Sequence, residues 1–112
     1  MSAPERLSDE QVQGAIRTRI SGWTVENGAI TRTYQTGAWT RTMMIANAIA
    51  YVAERVNHHP DLLLSYPRLK VMLTTHDAGG ITDKDVALAE EIERVAAWQP
   101  QGQALGAESW IG

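Results

Sequence analysis

The residue that most constrains the fold of this chain is Pro60, because it limits the longest helical pattern in the sequence. A proline cannot donate a backbone hydrogen bond, and it disfavours the helical conformation for the residue before it. From about Ala38 onward, apolar residues recur at intervals that place them on one face of a helix: Ile45, Ile49, Val52 and Val56. We therefore expect a long helix that begins near Ala38 and ends near Asn57, with His58 and His59 at its exit.

Two shorter patterns precede this helix. Ser8 and Gln11 have the spacing of a capping box, in which each side chain satisfies the other residue's free backbone N–H at a helix start. A first helix is therefore predicted from about Asp9 to Ile20. The pair Asn27-Gly28 suits a tight primed turn and separates two runs rich in β-branched residues, which predicts a β-hairpin.

Two strands and a third helix are predicted after Pro60. Leu62 to Tyr66 is a short apolar run, and Leu69 to His76 alternates so that four residues share one face: Leu69, Val71, Leu73 and Thr75. Thr82 and Asp85 repeat the capping-box spacing and mark the start of a third helix. This order predicts an α+β fold, a small antiparallel four-stranded sheet with three helices packed on one face.

The length and composition fit one globular domain. A chain of 112 residues has room for a single domain, which we place at residues 1–98, followed by a flexible tail over 99–112. The apolar share of 44% is ordinary for a globular protein, and the absence of cysteine excludes disulfides and thiolate chemistry. Because the core is small and the chain has no phenylalanine, we expect apolar surface to remain for a partner subunit.

Membrane and nucleic-acid roles are not favoured by the sequence. The longest apolar stretch, Met43 to Ala53, is interrupted by Asn47 and falls short of the roughly 20 residues that span a bilayer. The net charge is −3, and the lysines and arginines form no stripe that would neutralise a run of phosphates. The first residues lack the basic start and apolar block of a secretory signal, so we expect a cytoplasmic protein.

The three histidines are the main candidates for chemistry. His58 and His59 leave the long helix, and His76 lies at the end of the last predicted strand. Imidazole suits proton transfer near neutral pH, so such a cluster suits general acid–base catalysis. Glu54 stands one helical turn before His58, where its carboxylate would fix the tautomer of that ring, and Asp85 would serve another ring.

Other interpretations of these residues stay open at this point. A histidine pair at a helix end is also typical of a solvated terminus favoured by the helix dipole, and Asp85 is explained as a helix cap without any substrate. The histidines with Asp77 or Asp85 are also a possible zinc or iron ligand set. The helical spacing of an HExxH motif is absent, and no metal ligand is assigned from the sequence.

One ordered set of residues carries a family resemblance: Glu54, Asn57, His58, His59, Pro60, Tyr66, His76 and Asp85. This set resembles the signature of the pterin-4-alpha-carbinolamine dehydratases, a family that includes the dimerisation cofactor of hepatocyte nuclear factor. The similarity continues through Gly22-Trp23 and through the Thr74 to Gly79 segment, and it covers roughly Leu7 to Ala97. An aromatic residue is common in the family at the position of Leu62, and an aspartate is frequent at that of Asn57.

The resemblance implies a reaction in tetrahydrobiopterin recycling. Family members remove water from the 4a-hydroxytetrahydropterin left by aromatic amino-acid hydroxylases and give quinonoid dihydropterin. The leaving hydroxyl needs a proton and a ring nitrogen must lose one, so histidines suffice and neither a cofactor nor a metal is expected. By this resemblance His58 and His59 are general acids and His76 is the base, while Glu54 and Asp85 orient or tune them.

The resemblance also implies a substrate site and an assembly. The expected substrate contacts are Asn57, His58, His59, Thr74, Thr75, His76 and Asp77. Subunits are expected to form homodimers or homotetramers through the sheet and the helices. Since relatives on this fold act in dimerisation or protein assembly, a non-catalytic protein-binding module is the alternative. The three histidines with Glu54 and Asp85 favour the enzyme, because a pure interaction module needs none of them.

Overall fold

The computed structural model describes residues 4–97, and the predicted tail over 99–112 lies outside the described residues. The elements follow one another in the predicted order: α1 (Asp9–Thr18), β1 (Thr24–Glu26), β2 (Ala29–Gln35), α2 (Trp39–Val56), β3 (Asp61–Ser65), β4 (Arg68–Leu73) and α3 (Asp83–Ala97). A single 3₁₀ turn, His76–Ala78, lies between β4 and α3. The predicted α+β fold, a four-stranded antiparallel sheet with three helices, is confirmed.

The sheet is built on the predicted hairpin. Its strand order is β1-β2-β4-β3, and each neighbouring pair is antiparallel. Asn27 and Gly28 have φ angles of 49° and 79°, and a type I′ turn requires such positive values at both central residues. The turn sets Glu26 opposite Ala29, and the rest of the hairpin register follows from that pair.

The core lies between one face of the sheet and the helices. Alternate residues of β4 and one residue of β2 are fully buried in it, as are apolar residues of α2 and α3: Leu69, Val71, Leu73, Ile30, Ile49, Val86 and Ile92. The opposite face of the sheet carries Thr33, Lys70 and Leu63 in register. Within residues 4–97, none of the helices is long and apolar enough to cross a membrane.

The helix ends follow their capping residues. At the start of α1, Ser8 Oγ accepts from the Gln11 N–H at 3.1 Å and Gln11 Oε1 accepts from the Ser8 N–H at 2.8 Å, so this capping box is confirmed. The helix ends at Thr18, two residues before the predicted end, because the chain turns to bury Ile20 in the core. Asn57 ends α2 in the left-handed conformation, with a φ of 53°.

Strand β4 is shorter than predicted. It ends at Leu73, whereas the alternation of the sequence extends to His76. Leu73 pairs with Ile30 near the start of β2, and the hairpin turn that precedes β2 leaves no strand for further residues of β4. The chain continues to an isolated bridge between Thr75 and Gly80, and His76 begins the 3₁₀ turn within that loop.

Candidate active site

Asp85 joins the start of α3 to the histidine that follows α2. Its side chain is fully buried in the first turn of α3, and its Oδ2 atom accepts from the Thr82 N–H at 2.8 Å. This bond is the predicted half of the second capping box. In the second bond of the box, the Thr82 hydroxyl should accept from the backbone N–H of Asp85. It accepts instead from the backbone N–H of Lys84, one residue earlier, at 3.2 Å. The second carboxylate oxygen, Oδ1, lies 2.6 Å from Nε2 of His58, so Asp85 is both a helix cap and a histidine partner.

Thr75 connects this pair to the end of the sheet. Its hydroxyl donates to Asp85 Oδ2 at 2.8 Å and lies 2.8 Å from the hydroxyl of Thr82. Both threonines are buried, and Thr75 shares the core face predicted for it with Leu73. Every buried side-chain nitrogen and oxygen in the described part of the chain has a hydrogen-bond partner, so this polar cluster is satisfied internally.

The prediction that Glu54 pairs with His58 is wrong. Glu54 Oε1 instead lies 2.9 Å from Nε2 of His59. Helical spacing would place residues i and i+4 together, but α2 ends at Val56 and the left-handed Asn57 turns the chain away from the helix axis. The side chain of His58 therefore turns inward with 13% exposure, while that of His59 remains 56% exposed.

The remaining predicted site residues are exposed or half-buried. His76 is exposed at the start of the 3₁₀ turn and directly follows the buried Thr75. In the same way, the exposed His59 directly follows the more buried His58. Asn57 and Asp77 are also exposed. Thr74 is half-buried, and its hydroxyl donates to the carbonyl oxygen of Gly28 at 3.0 Å. The hydroxyls of Thr74 and Thr75 are thus already engaged by protein atoms.

A cavity of about 360 Å³ lies beside His58. Val56 at the end of α2 lines it together with residues of α3, of which two are apolar and four are charged: Ala87, Leu88, Lys84, Glu90, Glu91 and Arg94. His58 is the histidine that lines this cavity. His58 therefore both contacts Asp85 and lines a cavity of about 360 Å³.

Thr82 was not among the site residues predicted from the sequence. The capping-box spacing identified Thr82 as a helix start. The same spacing links Thr82 to the site, because the acid three residues later is Asp85. No local pattern indicates that Thr82 also contacts Thr75 or that Asp85 contacts His58. Both contacts arise only when β4, α2 and α3 pack together.

A metal site would need several ligating side chains close together. Among residues 4–97, the histidine, aspartate and glutamate side chains form no group of three or more that could hold a metal ion. The zinc or iron alternative therefore has no ligand set in this part of the chain.

Comparison with known proteins gives the family. The family model described as "Pterin 4 alpha carbinolamine dehydratase" matches residues 5–95. A protein of Solibacter usitatus named "Putative pterin-4-alpha-carbinolamine dehydratase" is 44% identical over 92 residues, which cover 82% of this chain and 96% of that protein. A protein of Aquifex aeolicus with the same name is 41% identical over 90 residues, covering 80% of this chain and 90% of its own. The chain belongs to the pterin-4-alpha-carbinolamine dehydratase family, as the resemblance predicted.

Solved structures agree with the fold. The crystal structure of a "transcriptional coactivator/pterin dehydratase" from Brucella melitensis superimposes with a TM-score of 0.78 at 28% identity, covering 83% of this chain and 100% of that one. A "pterin dehydratase-like protein" described as a RuBisCO assembly factor in the alpha-carboxysome has a TM-score of 0.56 at 15% identity, covering 69% and 89%. The second likeness concerns the fold alone.

Proposed function

We propose that this protein removes water from a 4a-hydroxytetrahydropterin and releases a quinonoid dihydropterin, with histidines as the general acids and base. The observation that carries the proposal is the 2.6 Å contact between His58 Nε2 and the buried Asp85. A histidine held by a buried carboxylate beside a cavity is suited to proton transfer, and a solvated helix terminus needs no such partner. Family membership supports the choice of a pterin as the substrate.

The proposed reaction is a balanced loss of water. The bond between C4a and the hydroxyl oxygen breaks, and the hydroxyl leaves as water after it takes a proton from an acid. The ring nitrogen beside C4a gives its proton to a base as a carbon–nitrogen double bond forms. No electron is gained or lost overall, so the step needs only groups that give and accept protons.

The roles of the histidines follow the family resemblance. We assign the leaving hydroxyl to His58 and His59 as general acids and the ring nitrogen to His76 as the base. Asp85 orients His58, and Glu54 orients His59 at 2.9 Å. The exposed side chains of Asn57 and Asp77 are available for contacts with the substrate.

Turnover of enzymatically generated 4a-hydroxytetrahydropterin, followed by ultraviolet absorbance, tests the proposal. The native protein should accelerate water loss over buffer, and folded variants His58→Ala and His76→Ala should each lose about 10²–10⁴-fold in rate. Arg17→Gln, on the exposed last turn of α1, is the matched control and should keep the native rate. A folded native protein with no rate above buffer would overturn the proposal and favour the protein-binding module.

We also propose that the reaction uses no metal or cofactor. Exhaustive dialysis against a chelator should leave the rate unchanged, and metal analysis of the active protein should find no stoichiometric ion. Loss of activity that returns with zinc or iron would contradict this part of the proposal.

Self-association is the last part of the proposal. The family implies dimers or tetramers, and α2 carries large apolar side chains that stay exposed in the single chain, with Trp39 at 52%, Tyr51 at 67% and Val56 at 53%. Sedimentation of the native protein should give a species of two or four subunits. A monomer at micromolar concentration would contradict it.

A further inference from the structure

Asp85 receives hydrogen bonds from three elements, and their arrangement fixes which atoms carry protons. Oδ2 accepts from the Thr82 N–H and from the Thr75 hydroxyl, each at 2.8 Å. Oδ1 is left for Nε2 of His58 at 2.6 Å. A carboxylate has acceptor atoms only, so each of the three groups that contact it must donate the hydrogen of its bond.

The direction of the threonine hydrogen bonds follows from counting hydrogens. The hydroxyl of Thr75 has one hydrogen, and it is donated to Asp85 Oδ2. In the 2.8 Å contact between the two hydroxyls, Thr75 must therefore accept and Thr82 must donate. Thr82 Oγ in turn accepts from the backbone N–H of Lys84 at 3.2 Å. The chain of donors runs in one direction, from the backbone of α3 through Thr82 and Thr75 to Asp85.

We propose that the buried hydroxyls of Thr75 and Thr82 position Asp85 so that it holds the hydrogen on Nε2 of His58, leaving Nδ1 as the ring atom that takes up a proton and then gives it to the leaving hydroxyl. The backbone N–H of Thr82 alone would fix one carboxylate oxygen but not the rotation of the group about its bond to Cβ. The Thr75 hydroxyl adds a second donor from the end of β4 and sets that rotation. The donated bond from Thr82 in turn holds Thr75 in the rotamer that reaches Asp85.

Thr75 therefore has a different role from the substrate contact that the family resemblance implied. A threonine whose single hydrogen is donated to Asp85 and whose oxygen accepts from Thr82 has no hydrogen to donate to a substrate. Thr75 and Thr82 are positioning residues that act through Asp85 on His58. The role of Nδ1 in proton exchange rests on the proposed function, but the tautomer of His58 does not.

Nitrogen-15 NMR of the histidine rings, at a pH where they are neutral, measures the tautomer directly and needs no substrate. In the native protein, His58 should show hydrogen on Nε2 and a free Nδ1. Asp85→Asn should reverse this, because the asparagine oxygen would keep the two donors at Oδ2 and its NH₂ group would face Nε2. A native ring with hydrogen on Nδ1, or an Asp85→Asn ring that keeps the native tautomer, would overturn the inference.

The threonines are tested with variants of matched shape. Thr75→Val and Thr82→Val remove a hydroxyl at nearly constant volume, and they should give mixed tautomers at His58 and a kcat lower by about tenfold or more, with KM changed less. Thr75→Ser and Thr82→Ser keep the hydroxyl and should restore both readouts. Thr33→Val, an exposed threonine of β2, is the control and should change neither.

The outcomes separate this inference from the proposed function. If Thr75→Val raises KM and leaves the His58 spectrum native, Thr75 contacts the substrate and the positioning role is wrong. If the native protein has the expected tautomer and no turnover, the proposed function fails while the hydrogen-bond arrangement stands. Should Thr75→Val not fold, the comparison of the native protein with Asp85→Asn still decides the tautomer.

Discussion

Glu93 on α3 accepts a 3.0 Å hydrogen bond from the indole N–H of Trp23, although 70 residues separate the two in the chain. Trp23 precedes β1 and is buried, with 1% of its surface exposed. The same carboxylate oxygen accepts from the hydroxyl of Tyr34 on β2 and lies 3.4 Å from Nη1 of Arg32. The side chain of Glu93 thus links α3 to strand β2 of the hairpin and to the residue that precedes β1.

Replacement of Glu93 should therefore destabilise the fold. Glu93→Ala leaves the buried indole N–H and the Tyr34 hydroxyl without their acceptor, and we expect a loss of about 1–3 kcal/mol in the free energy of unfolding. Urea denaturation measures it. Glu91→Ala, on the same helix, is the control, because Glu91 pairs with the exposed Arg94 and the loss of this pair should change the urea midpoint little. Equal effects of the two substitutions would contradict the prediction.

The same cluster predicts how stability depends on alkaline pH. Burial first, and then the hydrogen bond to Glu93, raises the pKa of Tyr34 above its ordinary value of 10.0. The folded state thus keeps a proton that the unfolded state releases, so this contribution is intact below pH 10 and falls as the pH rises further. Urea midpoints from about pH 9 to about pH 11 should fall more steeply for the native protein than for Tyr34→Phe. Parallel slopes would show that Tyr34 does not contribute.

Two glycines should respond to alanine with opposite signs. Gly28 has a φ of 79° in the hairpin turn with open space around it, so Gly28→Ala costs the backbone strain alone, about 1–2 kcal/mol. Gly14 lies inside α1, where a new Cβ would come no closer than 3.8 Å to the side chain of Arg17. Gly14→Ala should stabilise the protein by about 0.5–1 kcal/mol. Thermal unfolding of both variants checks the prediction, which fails if the midpoints move in the same direction.

Asn57 is expected to have separable structural and substrate-binding effects. Its left-handed conformation, with a φ of 53°, is one that glycine adopts freely and alanine does not. Asn57→Ala should lower the free energy of unfolding by about 1 kcal/mol, whereas Asn57→Gly should leave it nearly unchanged. If the side chain contacts the substrate as proposed, Asn57→Gly should still raise KM. Native kinetics for Asn57→Gly would limit Asn57 to ending α2.

Local patterns predicted most of the fold. The two capping-box spacings and the Asn27-Gly28 turn each involve residues close in sequence, and the structure places a helix start or a turn at each one. The end of β4 could not be predicted in this way. Its alternation continues beyond Leu73, and the strand stops there because of the position of Ile30 in another part of the chain.

The residue types of the proposed site could be predicted from the sequence, but their pairings could not. Spacing along an ideal helix favoured Glu54 as the partner of His58. Because Asn57 adopts the left-handed conformation, Glu54 contacts His59 instead. The partner of His58 is Asp85, 27 residues later, and only the packing of α3 against α2 brings them together. A capping pattern predicts where a helix begins, but it carries no information about what the second oxygen of the capping acid will meet.

The loop that carries His76 is closed at its own base. Thr75 and Gly80 exchange backbone hydrogen bonds of 2.9 and 3.3 Å, and the residues between them make a short turn that ends in the left-handed Gly79. The two hydrogen bonds hold the ends of this loop together independently of the side chains between them. Exchange of Asp77 or Ala78 should therefore leave β4 and α3 in place, whereas Gly79 must keep its left-handed conformation.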